Sequence, residues 1–181
     1  VDPGTDDILS MFTYKAGIVE QLFCATSSAI YDITAPASAD GFSLVDDLGD
    51  VLISDTGDEI GALSVTDAAI TGQTGGEWIS VQFTTPGGIY LRLVNGSDTP
   101  LVYDGTDFLA TPAITGTDLT PANLSYVWSF KNRLWFIEKE TLNAWYLPVD
   151  SIGGVAVKFP LGAQFSRGGS LVFGAAWSLD D

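Results

Sequence analysis

Three stretches of the chain share one pattern of apolar and polar positions. LFCATSSAIYDIT from Leu22, LRLVNGSDTPLVYDGT from Leu91 and LWFIEKETLNAWYLPV from Leu134 each begin with an apolar run. A polar turn follows, then a second run that ends in tyrosine, at Tyr31, Tyr103 and Tyr146. Short runs rich in β-branched and aromatic residues, bounded by Gly, Asn, Asp and Ser, read as strands. Asn95-Gly96 and residues 138–141 mark hairpin turns, since Asn-Gly accepts positive φ at little cost. A further strand-like run precedes each stretch, at residues 8–14, 78–84 and 125–130. The predicted unit is therefore strand, short turn, strand, hairpin, strand.

The spacing of these units sets the fold class. Leu91 and Leu134 are 43 residues apart, about the length of a four-stranded propeller blade. Leu22 and Leu91 are 69 residues apart, which fits the same unit carrying an insertion. A fourth unit is expected to begin at Gly169 with SLVFGAAWSLDD. The chain is thus predicted to be all-β, built of propeller-like blades as a partial propeller, with residues 1–34 and 77–181 forming one β domain. A sandwich or barrel is the competing all-β arrangement. Leu22, Phe23, Leu91, Leu93, Leu134, Phe136, Trp145 and Leu147 are the expected core, because they recur in equivalent segments. Three and a fraction blades do not close a ring of six or more, so further blades or further copies are expected to complete it.

Residues 35–76 break the pattern. They are rich in Gly, Ala, Ser, Thr and Asp, and read as an acidic insertion with weak strands at residues 51–54 and 63–65, and room for one short helix. Between Lys15 and Arg92 there is no basic residue, while eleven acids lie in that interval. A solvated acidic face is the ordinary explanation.

The third unit carries the most specific residues. KNRLWFIEKETLNAWYLPVDSIGGVAVKFPLGAQFSRGG, residues 131–169, resembles a segment of virion proteins of tailed bacteriophages. LFCATSSAIYDIT and LVNGSDTPLVYDGTDF are similar to earlier blades of the same kind of protein. The resemblance covers residues 8–34 and 77–181 and points to propeller-bearing tail hub or nozzle subunits. It implies a structural virion protein of the phage tail or head-to-tail hub, a homo-oligomeric ring next to portal, adaptor or other tail proteins. DNA would pass through without specific binding, and no membrane insertion is expected.

Composition bears on that expectation. The chain has 181 residues, with 7 Lys+Arg against 23 Asp+Glu and a formal net charge of −16. Binding nucleic acid by counterion release needs clustered Lys and Arg, so that class is excluded as the leading function. A ring that passes DNA must not hold it, and an acidic lumen repels phosphate. Simple solubility explains the same charge equally well. No run approaches 18 apolar residues, so no spanning helix is expected, and no signal peptide is visible.

Candidate chemistry is sparse. There is no histidine, which removes Ser-His-Asp and Cys-His catalysis and every histidine metal site. Cys24 stands alone in an apolar run and reads as a buried, inert thiol. The adjacent acids Asp6-Asp7, Asp46-Asp47, Asp58-Glu59 and Asp180-Asp181 do not by themselves make a glycosidase pair, because neighbours on a strand point to opposite faces. Arg92, Arg133 and Arg167 fall about one per unit and are expected near strand ends, paired with local acids. Asp55 to Glu59 and Asp104 to Asp107 place oxygen ligands on tight turns, but too few for a calcium loop. Trp78, Trp128, Trp135, Trp145 and Trp177 suit core packing, or burial at an interface, better than a sugar platform. No catalytic, cofactor-binding or metal residue is assigned, and the chain is not expected to be an enzyme. A carbohydrate-binding or glycan-cleaving propeller is the alternative reading.

Overall fold

The computed structural model describes residues 7–34, 68–165 and 167–176. Every regular element among them is a strand, apart from one 3-10 turn at Pro121–Asn123, so the fold is all-β. Among the described residues no helix is long and apolar enough to cross a membrane. The strands form three four-stranded antiparallel sheets in plain meander order, none of them closed on itself.

The first sheet holds β1 (Ser10–Ala16), β2 (Val19–Ala25), β3 (Ala29–Asp32) and β4 (Ile70–Thr71). The second holds β5 (Ile79–Thr85), β6 (Gly88–Val94), β7 (Leu101–Tyr103) and β8 (Phe108–Leu109). After the short β9 (Ile114–Thr115), the third sheet begins with β10 (Leu124–Phe130), β11 (Arg133–Glu138) and β12 (Asn143–Tyr146). β13 (Gly154–Val155) pairs in parallel with β9, and β14 (Val157–Pro160) completes the third sheet. The order strand, short turn, strand, hairpin, strand matches the sequence expectation in all three units. Each unit adds a fourth strand that the sequence pattern leaves unmarked.

The first hairpin of every unit has a two-residue turn: Ala16 pairs with Val19, Thr85 with Gly88, and Phe130 with Arg133. Gly17 at φ 63° supplies the left-handed backbone of the first turn, and Lys131 and Asn132, at φ 49° and 54°, supply it in the third. Such primed turns match the twist of the flanking strands. They also fix which residues are equivalent. Counting from the turn, Leu22 and Leu91 correspond to Phe136, not to Leu134.

A slip of two residues keeps a side chain on its own face of the sheet. Leu134 is therefore buried as expected, together with Phe23, Leu91, Leu93, Phe136, Trp145 and Leu147. Leu22 is the exception and is half-buried, because it pairs with Thr13 on the side of the first sheet turned away from the second.

The sheets stack in chain order. One core lies between the first and second sheets, built from Phe12, Tyr14, Phe23 and Ile30 against Leu91, Leu93, Leu101 and Tyr103. A second lies between the second and third, with Phe83 and Val94 against Leu124, Val127, Leu134, Phe136 and Trp145. A small third cluster of Cys24, Ala29 and Tyr31 lies on the opposite face of the first sheet. The second sheet is thus covered on both faces, and neighbouring sheets approach most closely along their first two strands.

Residues 35–67 lie outside the described residues, and with them the expected strands at 51–54 and 63–65. The end of the expected insertion is described, and it includes β4, whose Thr71 and Ile70 pair with Ala29 and Ile30. The last residues of the acidic stretch therefore supply the edge strand of the first sheet. The following segment is clamped. Ser10 donates to the Gly76 carbonyl at 2.6 Å, and the Trp78 amide donates to Ser10 Oγ at 3.1 Å.

Asp98 makes a second clamp. It accepts from the Thr74 amide and hydroxyl, the Gly75 amide and the Asn95 side-chain amide. Partial burial pulls its carboxyl upward, but the hydrogen bonds outweigh burial and hold it below the usual carboxylate range. A depressed folded-state pKa means stabilisation that is present above the unfolded value and is lost as pH falls through the folded one. Asp98→Ala should therefore cost about 1–2 kcal/mol at pH 7, discounted for partial exposure. In urea melts the gap between variant and parent should close in strongly acidic buffer. A gap unchanged there would assign the loss to packing instead.

Candidate functional site

The residues singled out in the sequence do not converge on one cleft. Cys24 is buried, and burial pushes its thiol up, away from reactivity. Of the adjacent acids, Asp46-Asp47, Asp58-Glu59 and Asp180-Asp181 lie outside the described residues, as do Asp6 and the turn from Asp55 to Glu59. Asp104 engages the amides of Thr106 and Asp107 through its oxygen Oδ1, which makes it an ordinary turn residue. Among the described residues no three His, Cys, Asp or Glu side chains gather as a metal group.

Arg133 stands at the start of β11 as expected, but the described partners of Arg92 and Arg133 are carbonyls and a ring, not acids. Arg92 is not at a strand end but in the middle of β6, and it is fully buried. One Nη donates to the Pro112 carbonyl at 3.1 Å, while Nε and the other Nη have no partner. Burial lowers its pKa to about 9. Arg133 donates to the Leu147 carbonyl at 3.3 Å and lies over the Tyr146 ring, and Arg167 is exposed. Lys15 and Glu20 form an ion pair at 3.4 Å on the surface.

Two tryptophans are core. Trp78 packs between the first and second sheets and Trp145 between the second and third. Trp145 Nε1 donates to Glu138 at 3.0 Å, so the buried carboxylate and indole satisfy each other. Trp177 lies outside the described residues.

Trp128 and Trp135 are different. They pair directly across β10 and β11, with ring centroids 5.8 Å apart and nearly parallel. The Lys131-Asn132 turn does not separate them; its two-residue length is what places them opposite one another. Trp135 also meets Tyr146 at 4.8 Å and Phe159 edge-on at 5.8 Å, while Tyr126 flanks Trp128. These five rings cover the face of the third sheet turned away from the second.

Residues 171–176 cross this face in irregular backbone, not as the strand of a fourth unit. Leu171 donates its amide to the Thr141 carbonyl at 2.8 Å. Gly174 rests on the Trp128 ring, where an added Cβ would come within 2.8 Å of ring carbons, so only glycine fits. Cover is incomplete. Clefts of about 150 and 200 Å³ remain beside Trp128 and Trp135, and Val172 and Phe173 stay 77% and 70% exposed. A contiguous apolar surface of this kind marks an interaction site. It is the strongest functional candidate among the described residues.

Comparison with protein-family models, curated proteins and solved structures finds no match.

Proposed function

We propose that the chain is a structural subunit of a phage tail or head-to-tail hub. Its three sheets act as consecutive propeller-type blades, and copies assemble into a ring through which DNA passes. The observation that carries the reading is the repeated stack of four-stranded meanders, approaching along their first strands as blades do around an axis. The resemblance of residues 131–169 to tail proteins supplies the virion context. The net charge of −16 suits a conduit that does not grip phosphate. The described first strands, β1, β5 and β10, carry no carboxylate, and the strand acids Glu20, Asp32 and Glu138 lie on β2, β3 and β11.

Negative-stain microscopy of the purified protein should show rings with an open centre, and its peptides should appear in purified virions of a phage that encodes it. Duplex DNA should not bind even at low salt. Absence from virions would remove the reading. The glycan alternative draws on the Trp128–Trp135 pair, which has the planarity a sugar needs. Against it, Trp135 Nε1 is buried without a partner and offers no polar edge. A monomer that binds on a glycan array would favour that alternative.

A further inference from the structure

The repeat has a direction, and that direction leaves two unlike ends. Positions counted from the two-residue turns keep their facing from sheet to sheet. Leu91 faces the first sheet and its counterpart Phe136 faces the second, so this position always looks backward along the stack. On the first strands, Tyr14, Phe83 and Trp128 are equivalent, as are Phe12, Val81 and Tyr126. Tyr14 and Phe12 are buried against the second sheet, and Phe83 and Val81 pack toward the third. These positions always look forward. In the third sheet the forward-looking residues are Tyr126 and Trp128, and among the described residues no further sheet stands before them. In the first sheet the backward-looking residues are Met11, Thr13, Leu22, Cys24 and Tyr31; Ile33 and Ala68 already pack against Cys24 and Tyr31, while Met11 and Thr13 stay exposed.

We infer that the forward face of the third sheet is a docking surface for the backward face of the first sheet in a second copy of this chain. The contact would continue the interface already made twice within the chain, sheet against sheet with the same positions facing. Charge favours the same partner. Residues 124–176 carry Lys131, Arg133, Lys139, Lys158 and Arg167 against three acids, while the described residues of the first unit, 7–34, carry Asp7, Glu20 and Asp32 against Lys15 alone. Opposite ends of the chain therefore attract each other and like ends do not. Residues 171–176 hold part of the forward face in irregular backbone, which a pleated sheet would displace. Such a head-to-tail contact is heterologous and extends until it closes.

The inference rests on the ring reading proposed above but assigns the faces independently of any virion role. The test uses two double variants of the full chain. Val157→Asp with Phe159→Asp disables the forward face at two exposed positions, and Met11→Asp with Thr13→Asp disables the backward face. Circular dichroism and cooperative melting select variants that keep the fold. In sedimentation, the parent should form oligomers, each variant alone should be a monomer, and an equimolar mixture should give a one-to-one dimer, since each supplies the face the other lacks. A mixture that stays monomeric, or a single variant that still self-associates, overturns the assignment of faces while leaving the parent's ring intact. A parent that is itself monomeric at every concentration overturns the ring reading as well. Parent oligomers with the expected mixing, found in a protein absent from virions, would leave the faces standing and remove only the virion role.

Discussion

Truncating Phe136 or Trp145 to alanine should remove about 3–5 kcal/mol of unfolding free energy, and Leu134→Ala about 2–5 kcal/mol. All three are buried between the second and third sheets, at 0%, 1% and 0% exposure. Their neighbours are strands paired on both sides, which cannot collapse freely into a vacated volume. Trp145 carries a second loss, because its indole satisfies Glu138, and a buried carboxylate left with fewer donors is costly. Leu22→Ala is the internal control. It occupies the same turn-relative position as Leu91 and Phe136, yet it faces outward and is half-buried, so its cost should be well below theirs. Chemical denaturation of the four variants under one condition checks the order. Equal losses at Leu22 and Phe136 would mean that the part of the backward face left open around Leu22 is also buried in solution. That result would agree with docking of a second copy and should then depend on protein concentration.

How much of this is legible in the sequence depends on which physical signal each feature sends. Strand positions are legible, because alternation and turn residues act locally: nine of the strands fall on the runs read from the pattern. Register is less so. Leu134 and Leu91 look equivalent as the first leucine of an apolar run, but the turn sets the frame, and Lys131-Asn132 does not announce a tight turn as Asn-Gly does. Its left-handed backbone at both residues emerges only when the strands are seen to pair. The same turn brings Trp135 opposite Trp128, which sequence alternation alone does not deliver. The short fourth strands β4 and β8, two residues each, are invisible for a different reason. Two residues hold too little periodicity to detect, and their pairing is decided by the sheet edge they complete. Asp98 reads as a turn acid, and its role in tying residues 74 and 75 is a long-range property no local rule carries.

Arg92→Met should stabilise the protein by about 1–4 kcal/mol, the range seen when buried charged groups give way to packed apolar ones. The turn-relative counterparts of Arg92 are Phe23 and Ile137, so the repeat itself places apolar side chains here. A strand-interior arginine pairing with Val81 and Val102 is surrounded by a core that offers one carbonyl to five donors. Methionine fills much of the same volume without the desolvated charge, while leaving the Pro112 carbonyl short of one donor. The pH dependence gives a second handle. Burial lowers the folded-state pKa to about 9, far below the value in the unfolded chain. Between those values the unfolded state binds the extra proton, so this group's contribution to stability rises with pH. The advantage of Arg92→Met over the parent should accordingly be full at neutral pH and shrink above about pH 9, as the arginine is relieved of its charge. Paired denaturant titrations at pH 7 and at pH 10 measure both. A destabilised Arg92→Met at neutral pH would show that the guanidinium is well satisfied in solution, and that this break in the repeat is held in place by partners rather than tolerated.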